Sequence, residues 1–140
     1  HIMMEFEPPL VGCVISSNNH SFAALKATRE CVINIPTAEL VKQVVKIGNS
    51  SGRKLDKFAH TGLTPLPASL VQAPLIAECY ANLECRVVDT RLVNSYNFFI
   101  LEVVQAWLDT SVKNPETLHH RGKGVFMVAG ETIKLPSRMK

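Results

Sequence analysis

The chain has 140 residues, 46% of them hydrophobic and 19% charged, with 15 Lys+Arg against 12 Asp+Glu for a formal net charge of +3. That length suits one domain, residues 1–140, with a sizeable core, and the apolar fraction excludes a disordered chain. The longest apolar runs, such as Leu10–Ile15 and Phe98–Val104, fall short of the ~18–20 residues that cross a bilayer. Basic residues stand singly or in pairs with little aromatic interleaving, so neither membrane nor nucleic acid is an expected partner.

Pro8-Pro9 lead into Leu10–Ile15, a β-branched run that reads as a strand after a rigid extended entry. The strand gives way to Ser16-Ser17-Asn18-Asn19-His20-Ser21, the longest uncharged polar run of the chain, and then to Phe22–Ala27, a helix capped by Asn19 or Ser21. Cys31–Ile35 reads as a second short strand, stopped by Pro36. Thr37 then caps a helix whose Leu40, Val41, Val44 and Val45 recur at helical spacing until Gly48.

A turn cluster, Asn49–Arg53, precedes a short helix over Lys54–His60 with Gly62 as its stop. Leu63–Pro74, with three prolines and no period, is expected as an extended surface connection. Ala77–Leu92 and Asn97–Leu108 are dense in β-forming residues and read as two long antiparallel strands joined at Val93-Asn94-Ser95. Asp109–Arg121 reads as a loop, and Val125–Ala129 with Thr132–Leu135 as a terminal hairpin turning at Gly130-Glu131. Strands and helices alternate too irregularly for repeated βαβ units, so the expected class is mainly β with short helices, a barrel or α+β sheet.

Four cysteines, Cys13, Cys31, Cys79 and Cys85, lie in apolar stretches and form no C-x-x-C pair, which suits reduced core thiols in a cytoplasmic protein. His119-His120 are adjacent and so do not share a face, which argues against a metal site there. No G-x-G-x-x-G, P-loop, H-E-x-x-H or G-x-S-x-G motif occurs. What remains is chemistry for an anion. The run Ser16–Ser21 offers hydroxyls, amides and a helix N-terminus without a carboxylate. Ser50, Ser51, Gly52 and Arg53 form a second donor cluster, and Lys57, four residues after Arg53, falls on the same face if Arg53 opens the helix. The basic, Gly-rich segment His119–Gly124 is a candidate to close over an anionic or aromatic ligand.

Taken in order, several segments carry a resemblance: Glu7–Ser16; Cys31-Val32-Ile33-Asn34-Ile35-Pro36; Ser51-Gly52-Arg53 with Asp56-Lys57-Phe58 and Gly62-Leu63-Thr64; Ala73–Ile76; Leu83-Glu84-Cys85; and Phe99–Val103. They resemble the flavin reductase-like proteins, the FMN-binding split-barrel family that includes flavoredoxins and small flavin or ferric reductases. The resemblance implies an antiparallel Greek-key split barrel, usually dimeric, in which FMN carries the redox chemistry. It also implies an oxidoreductase passing electrons from NAD(P)H through FMN to a flavin, small-molecule or protein acceptor.

Carried over by position, the phosphate and ribityl contacts are Ser16, Ser17, Asn18, Asn19 and Ser21, joined by Ser51, Gly52, Arg53 and Lys57. Where family members often carry a His-containing pair on the long hairpin, this chain has Ser95, Tyr96 and Asn97. Hydride transfer to a flavin needs no protein acid or base, so no catalytic residue is expected. Two family strands that normally precede Glu7–Ser16 have no counterpart, and His1–Met4 reads as native text of a domain lacking its N-terminal strands. Two other readings stand beside the reductase: a flavin-binding electron carrier without NAD(P)H oxidation, and a truncated dimerising fragment that binds no flavin.

Overall fold

The structure is a computed structural model and describes residues 1–136. Its centre is a five-stranded antiparallel sheet in the order β1-β2-β7-β6-β3, built from β1 (Ile2–Phe6), β2 (Pro9–Val14), β3 (Glu30–Ile35), β6 (Ala81–Asp89) and β7 (Phe98–Leu108). Between β2 and β3 runs helix α1 (His20–Thr28); after β3 come a 3-10 turn at Ala38–Leu40, α2 (Val41–Gly48) and α3 (Lys57–Thr61). Short strands β4 (Pro65–Leu66) and β5 (Leu75–Ile76) pair with each other, α4 (Val93–Tyr96) joins β6 to β7, and β8 (Leu118–Gly122) pairs with β9 (Val125–Val128).

One face of the sheet holds the core. Cys85, Val87, Phe99 and Leu101 from β6 and β7 are buried with Leu25 of α1 and Val93 of α4, and Cys13, Ile15, Phe22, Cys31 and Ile33 pack against them. Phe22 meets Phe99 edge to face, with ring centroids 5.4 Å apart, so α1 docks through Phe22 and Leu25 while its polar start stays at the rim. Gly12 of β2 leaves room for the Phe98 ring, against which an added Cβ would press.

The other face carries polar residues, and the segment between α3 and β6 covers it. Glu84, 0% exposed, accepts the backbone N–H groups of Ser69 and Leu70 at 2.9 and 2.6 Å and the Trp107 indole N–H at 2.7 Å. Asn82 mimics a strand edge, accepting from Ile76 N–H at 2.9 Å and donating to the Ile76 carbonyl at 3.2 Å. Arg86 donates to the Leu70 carbonyl at 2.8 Å. The connection expected as a plain surface crossing is therefore pinned to the sheet, with Leu63, Val71 and Leu75 buried beneath it. Burial pushes the Glu84 carboxyl up, but the donors on Ser69, Trp107, Leu70 and Val71 outweigh it and leave the group below its ordinary value.

Several expected boundaries move for local reasons. Ile2–Phe6 pairs with β2 as an edge strand. The second long strand pair shortens to Ala81–Asp89 against Phe98–Leu108, because the residues expected as its turn form α4, closed by Asn97 in the left-handed region at φ 55°. The terminal hairpin lies earlier than expected, over Leu118–Gly122 and Val125–Val128. Its turn is Lys123-Gly124, with both φ values positive at 51° and 74°, the backbone that two-residue hairpins favour. Thr132–Leu135 forms no strand, and Leu118–Gly122 is a strand where a loop was expected. The third helix starts at Lys57 instead of Lys54, because the Asp56 carboxylate caps it by accepting Phe58 N–H at 2.8 Å and Ala59 N–H at 3.3 Å.

Candidate flavin site

The polar run before α1 and the turn before α3, far apart in sequence, meet in one cleft of about 420 Å³. Asn18, Asn19, His20 and Ser21 form one wall, Ser50, Ser51 and Gly52 the other, and Lys57 and the end of α2 at Ile47-Gly48 complete it. Among the described residues no carboxylate lines the cleft, and Lys57 is its one Lys or Arg. The Lys57 ammonium donates to the Ile47 carbonyl at 2.9 Å, where the C-terminal end of α2 gathers partial negative charge. That bond uses one of its three N–H donors and fixes the charge at the cleft.

Of the residues singled out in the sequence, the fold brings Asn18, Asn19, Ser21, Ser51, Gly52 and Lys57 to this lining, and leaves Ser16, Ser17 and Arg53 outside it. Ser16 shapes the loop instead: its carbonyl accepts Asn19 N–H at 2.9 Å and its hydroxyl accepts Asn18 N–H at 3.4 Å. Ser51 holds the facing turn in the same way, taking Arg53 N–H on its hydroxyl at 3.3 Å and Lys54 N–H on its carbonyl at 2.9 Å. Arg53 precedes α3 and does not share a helical face with Lys57. Asn19 takes the N-cap position of α1 by its backbone, with its side chain making no cap bond. That leaves the amide available to a ligand.

His20 is a further lining residue that the sequence alone does not single out. It opens α1 and covers the opposite turn, where a Cβ on Gly52 would stand 3.1 Å from its Cδ2 atom. The signal was its place inside the polar run, but only tertiary contact sets it against Gly52. Two further clefts adjoin the first. One of about 460 Å³, lined by Cys13, Ile15, Cys31, Ile33 and Phe58 among others, shares His20 and Ser21 with it. The other, of about 610 Å³, shares Gly48 and runs between α2 and the β8–β9 hairpin, bounded by Val44, Val45, His120, Lys123 and Phe126. There the His120 and Phe126 rings, cross-strand partners, lie 4.9 Å apart. Ala38 N–H to the Glu116 carbonyl, 2.8 Å, ties the chain entering that hairpin to the 3-10 turn that precedes α2. The basic segment His119–Gly124 thus stands beside the anion-friendly cleft, as a wall and not as a free loop.

Residues 1–126 match the family model described as the flavin reductase like domain. This chain belongs to the flavin reductase-like family. Among flavin reductase-like structures, the FMN-binding domain of a flavin reductases-like enzyme from Shewanella baltica superposes with a TM-score of 0.88 at 24% identity, over 96% of this chain and 78% of that one. Flavoredoxin of Desulfovibrio vulgaris gives 0.84 at 21% identity, over 95% and 76%. The fold is therefore the split barrel of that family, mainly β with short helices, as the sequence led us to expect.

Among curated relatives, an uncharacterized protein of Archaeoglobus fulgidus is 36% identical over 74% of this chain. The uncharacterized protein YddH of Escherichia coli is 30% identical over 93% of this chain and 75% of its own length. The chain spans 58% of the length of the Archaeoglobus relative. Among the described residues no helix is long and apolar enough to cross a membrane, and no cluster of His, Cys, Asp or Glu has the makings of a metal site.

Proposed function

We propose that this flavin reductase-like chain binds FMN and passes electrons from NAD(P)H through it to a flavin, small-molecule or protein acceptor. One observation carries the reading: two polar loops distant in sequence close a carboxylate-free cleft around a fixed lysine, with roomy, largely apolar clefts on either side. The residues fit the cofactor. Lys57 supplies the positive charge for a phosphate, the Asn18, Asn19, Ser21 and Ser51 side chains supply hydrogen bonds to phosphate and ribityl oxygens, and the start of α1 adds its N-terminal field. When bound, the flavin supplies acceptance of a hydride, for which no side-chain acid or base is needed. The chain's own work is to bind, to orient and to exclude water.

Ser16, Ser17 and Arg53 contribute by shaping the two loops in this proposal. The protein works in the cytoplasm, a reducing compartment that suits its four free cysteines. It works as a homodimer, a state favoured by the exposed Ile2, Met3 and Phe6 side chains of edge strand β1.

FMN titration followed by quenching of its fluorescence tests the cofactor, with NAD(P)H consumption measured on the loaded protein. Lys57→Ala should weaken FMN binding by about 10- to 100-fold, the worth of a charge-assisted hydrogen bond, while circular dichroism stays that of the folded protein. FMN bound without NAD(P)H consumption would make the protein an electron carrier. No uptake at any FMN concentration would overturn the flavin reading.

A further inference from the structure

The clefts leave the cysteines without a role, although three of them meet in the core. Cys31 of β3 and Cys85 of β6 are direct partners in the antiparallel register, so their side chains leave the sheet on one face. Directly opposed residues of such a pair have Cα atoms about 4.5–5.5 Å apart, inside the roughly 4.4–6.8 Å that a disulfide spans. Both are free thiols.

Their access differs. Cys85 is 0% exposed, whereas Cys31 is half-buried and lines the 460 Å³ cleft beside the flavin site. The neighbouring Cys85 thiol, together with burial, raises the Cys31 pKa. The Cys31 thiol and the Ile33 N–H lower that of Cys85 despite its burial. Cys85 passes its own S–H to the Leu83 carbonyl at 3.4 Å. A half-buried thiol thus stands directly across the register from a fully buried one, the pairing of a thiol with a resolving cysteine.

We propose that Cys31 and Cys85 form a reversible disulfide, with hydrogen peroxide entering the cleft as the oxidant and Cys31 as the sulfur that meets it. The Cys31 sulfur attacks one peroxide oxygen, the O–O bond breaks, and the thiol proton leaves with the departing hydroxide as water, giving a sulfenic acid. The Cys85 sulfur then attacks the Cys31 sulfur; the S–S bond forms, the S–O bond breaks, and the hydroxide takes the Cys85 proton away as water. Both sulfurs are oxidised by one electron each and the peroxide is reduced by two. Because Cys31 holds its proton, the pair is a slow sensor and not a peroxidase. The cross-link would join edge strand β3, which forms a wall of the cleft through Val32, Ile33 and Asn34, to central strand β6. The chemistry stands whether or not the chain binds flavin, although a reduced flavin meeting dioxygen would be a local source of peroxide.

The test uses the full chain, reduced and then held with or without excess hydrogen peroxide, denatured in N-ethylmaleimide, digested without reductant and mapped by mass spectrometry. The expected result is loss of two of the four alkylatable thiols, a Cys31–Cys85 linked peptide lacking two hydrogens, and full reversal by dithiothreitol. Cys79, whose thiol burial pushes up to about 11, stays alkylated. In Cys85→Ser the sulfenic acid on Cys31 accumulates and is trapped by dimedone. The proposal is overturned if Cys31 and Cys85 both stay alkylatable under excess peroxide. Linkage of Cys31 to Cys13, or advance of Cys31 to sulfinic acid without a cross-link, overturns it equally. Should Cys85→Ser fail to fold, the peptide map of the unaltered chain decides alone.

Discussion

The two faces of the central sheet are covered by different physics. On one, α1 and α4 bury Leu25, Val93, Phe99 and Leu101 by apolar contact. On the other, the chain between α3 and β6 is held through Asn82, Glu84 and Arg86, which meet backbone groups at 2.6–3.2 Å. The first kind of contact gains from every methylene and tolerates small adjustments; the second depends on complete satisfaction of a few groups. A hydrophobic pattern announces the first face and is silent about the second.

Substitutions on the two faces should therefore differ in size and in pH response. Phe99→Ala removes the ring at the centre of the apolar face and should cost about 3–5 kcal/mol, read as a lower midpoint in urea unfolding. Glu84→Gln keeps the shape but removes the charge that its N–H donors share, and should cost about 1–3 kcal/mol. A loss as large as that of Phe99→Ala would make the polar face the dominant one.

The same carboxylate gives the comparison a pH test. Its folded pKa lies below the ordinary 4.5, so its contribution is fully present above that value and is lost as pH falls through the folded pKa. Unfolding midpoints should drop in acid for the parent chain and less steeply for Glu84→Gln, whereas Phe99→Ala should keep the parent's slope. Asp56→Ala, on neither face, removes only the cap of α3 and should cost about 1 kcal/mol, seen in thermal melts. Because α3 carries Lys57, it should also loosen FMN binding slightly in the fluorescence titration.

The contrast explains what was legible beforehand. Leu10–Ile15, Cys31–Ile35 and the helix ending at Gly48 are apolar runs with clear period or clear stops, and they form close to where they were expected. The polar run before α1 and the Ser51-Gly52-Arg53 turn were both visible as donor clusters. Arg53 was grouped with Lys57 on a helical face because nothing local said that Asp56, and not an earlier residue, would cap α3. The terminal hairpin sits elsewhere than its sequence suggests, because a positive φ at Lys123 is not a lysine preference. Gly130-Glu131 looked like the better turn.

By itself the sequence determined the class of fold, the strand–polar loop–helix unit, the family resemblance and the anion-friendly chemistry of two loops, since all of these follow from composition and short-range order. Only the tertiary structure decided that the loops close a single cleft around Lys57, that His20 covers Gly52, that Glu84 carries the segment crossing the sheet, and that Cys31 faces Cys85. Those pairings join residues at least ten positions apart in the chain. Strand register and packing bring them together, and no local propensity encodes the distance between them.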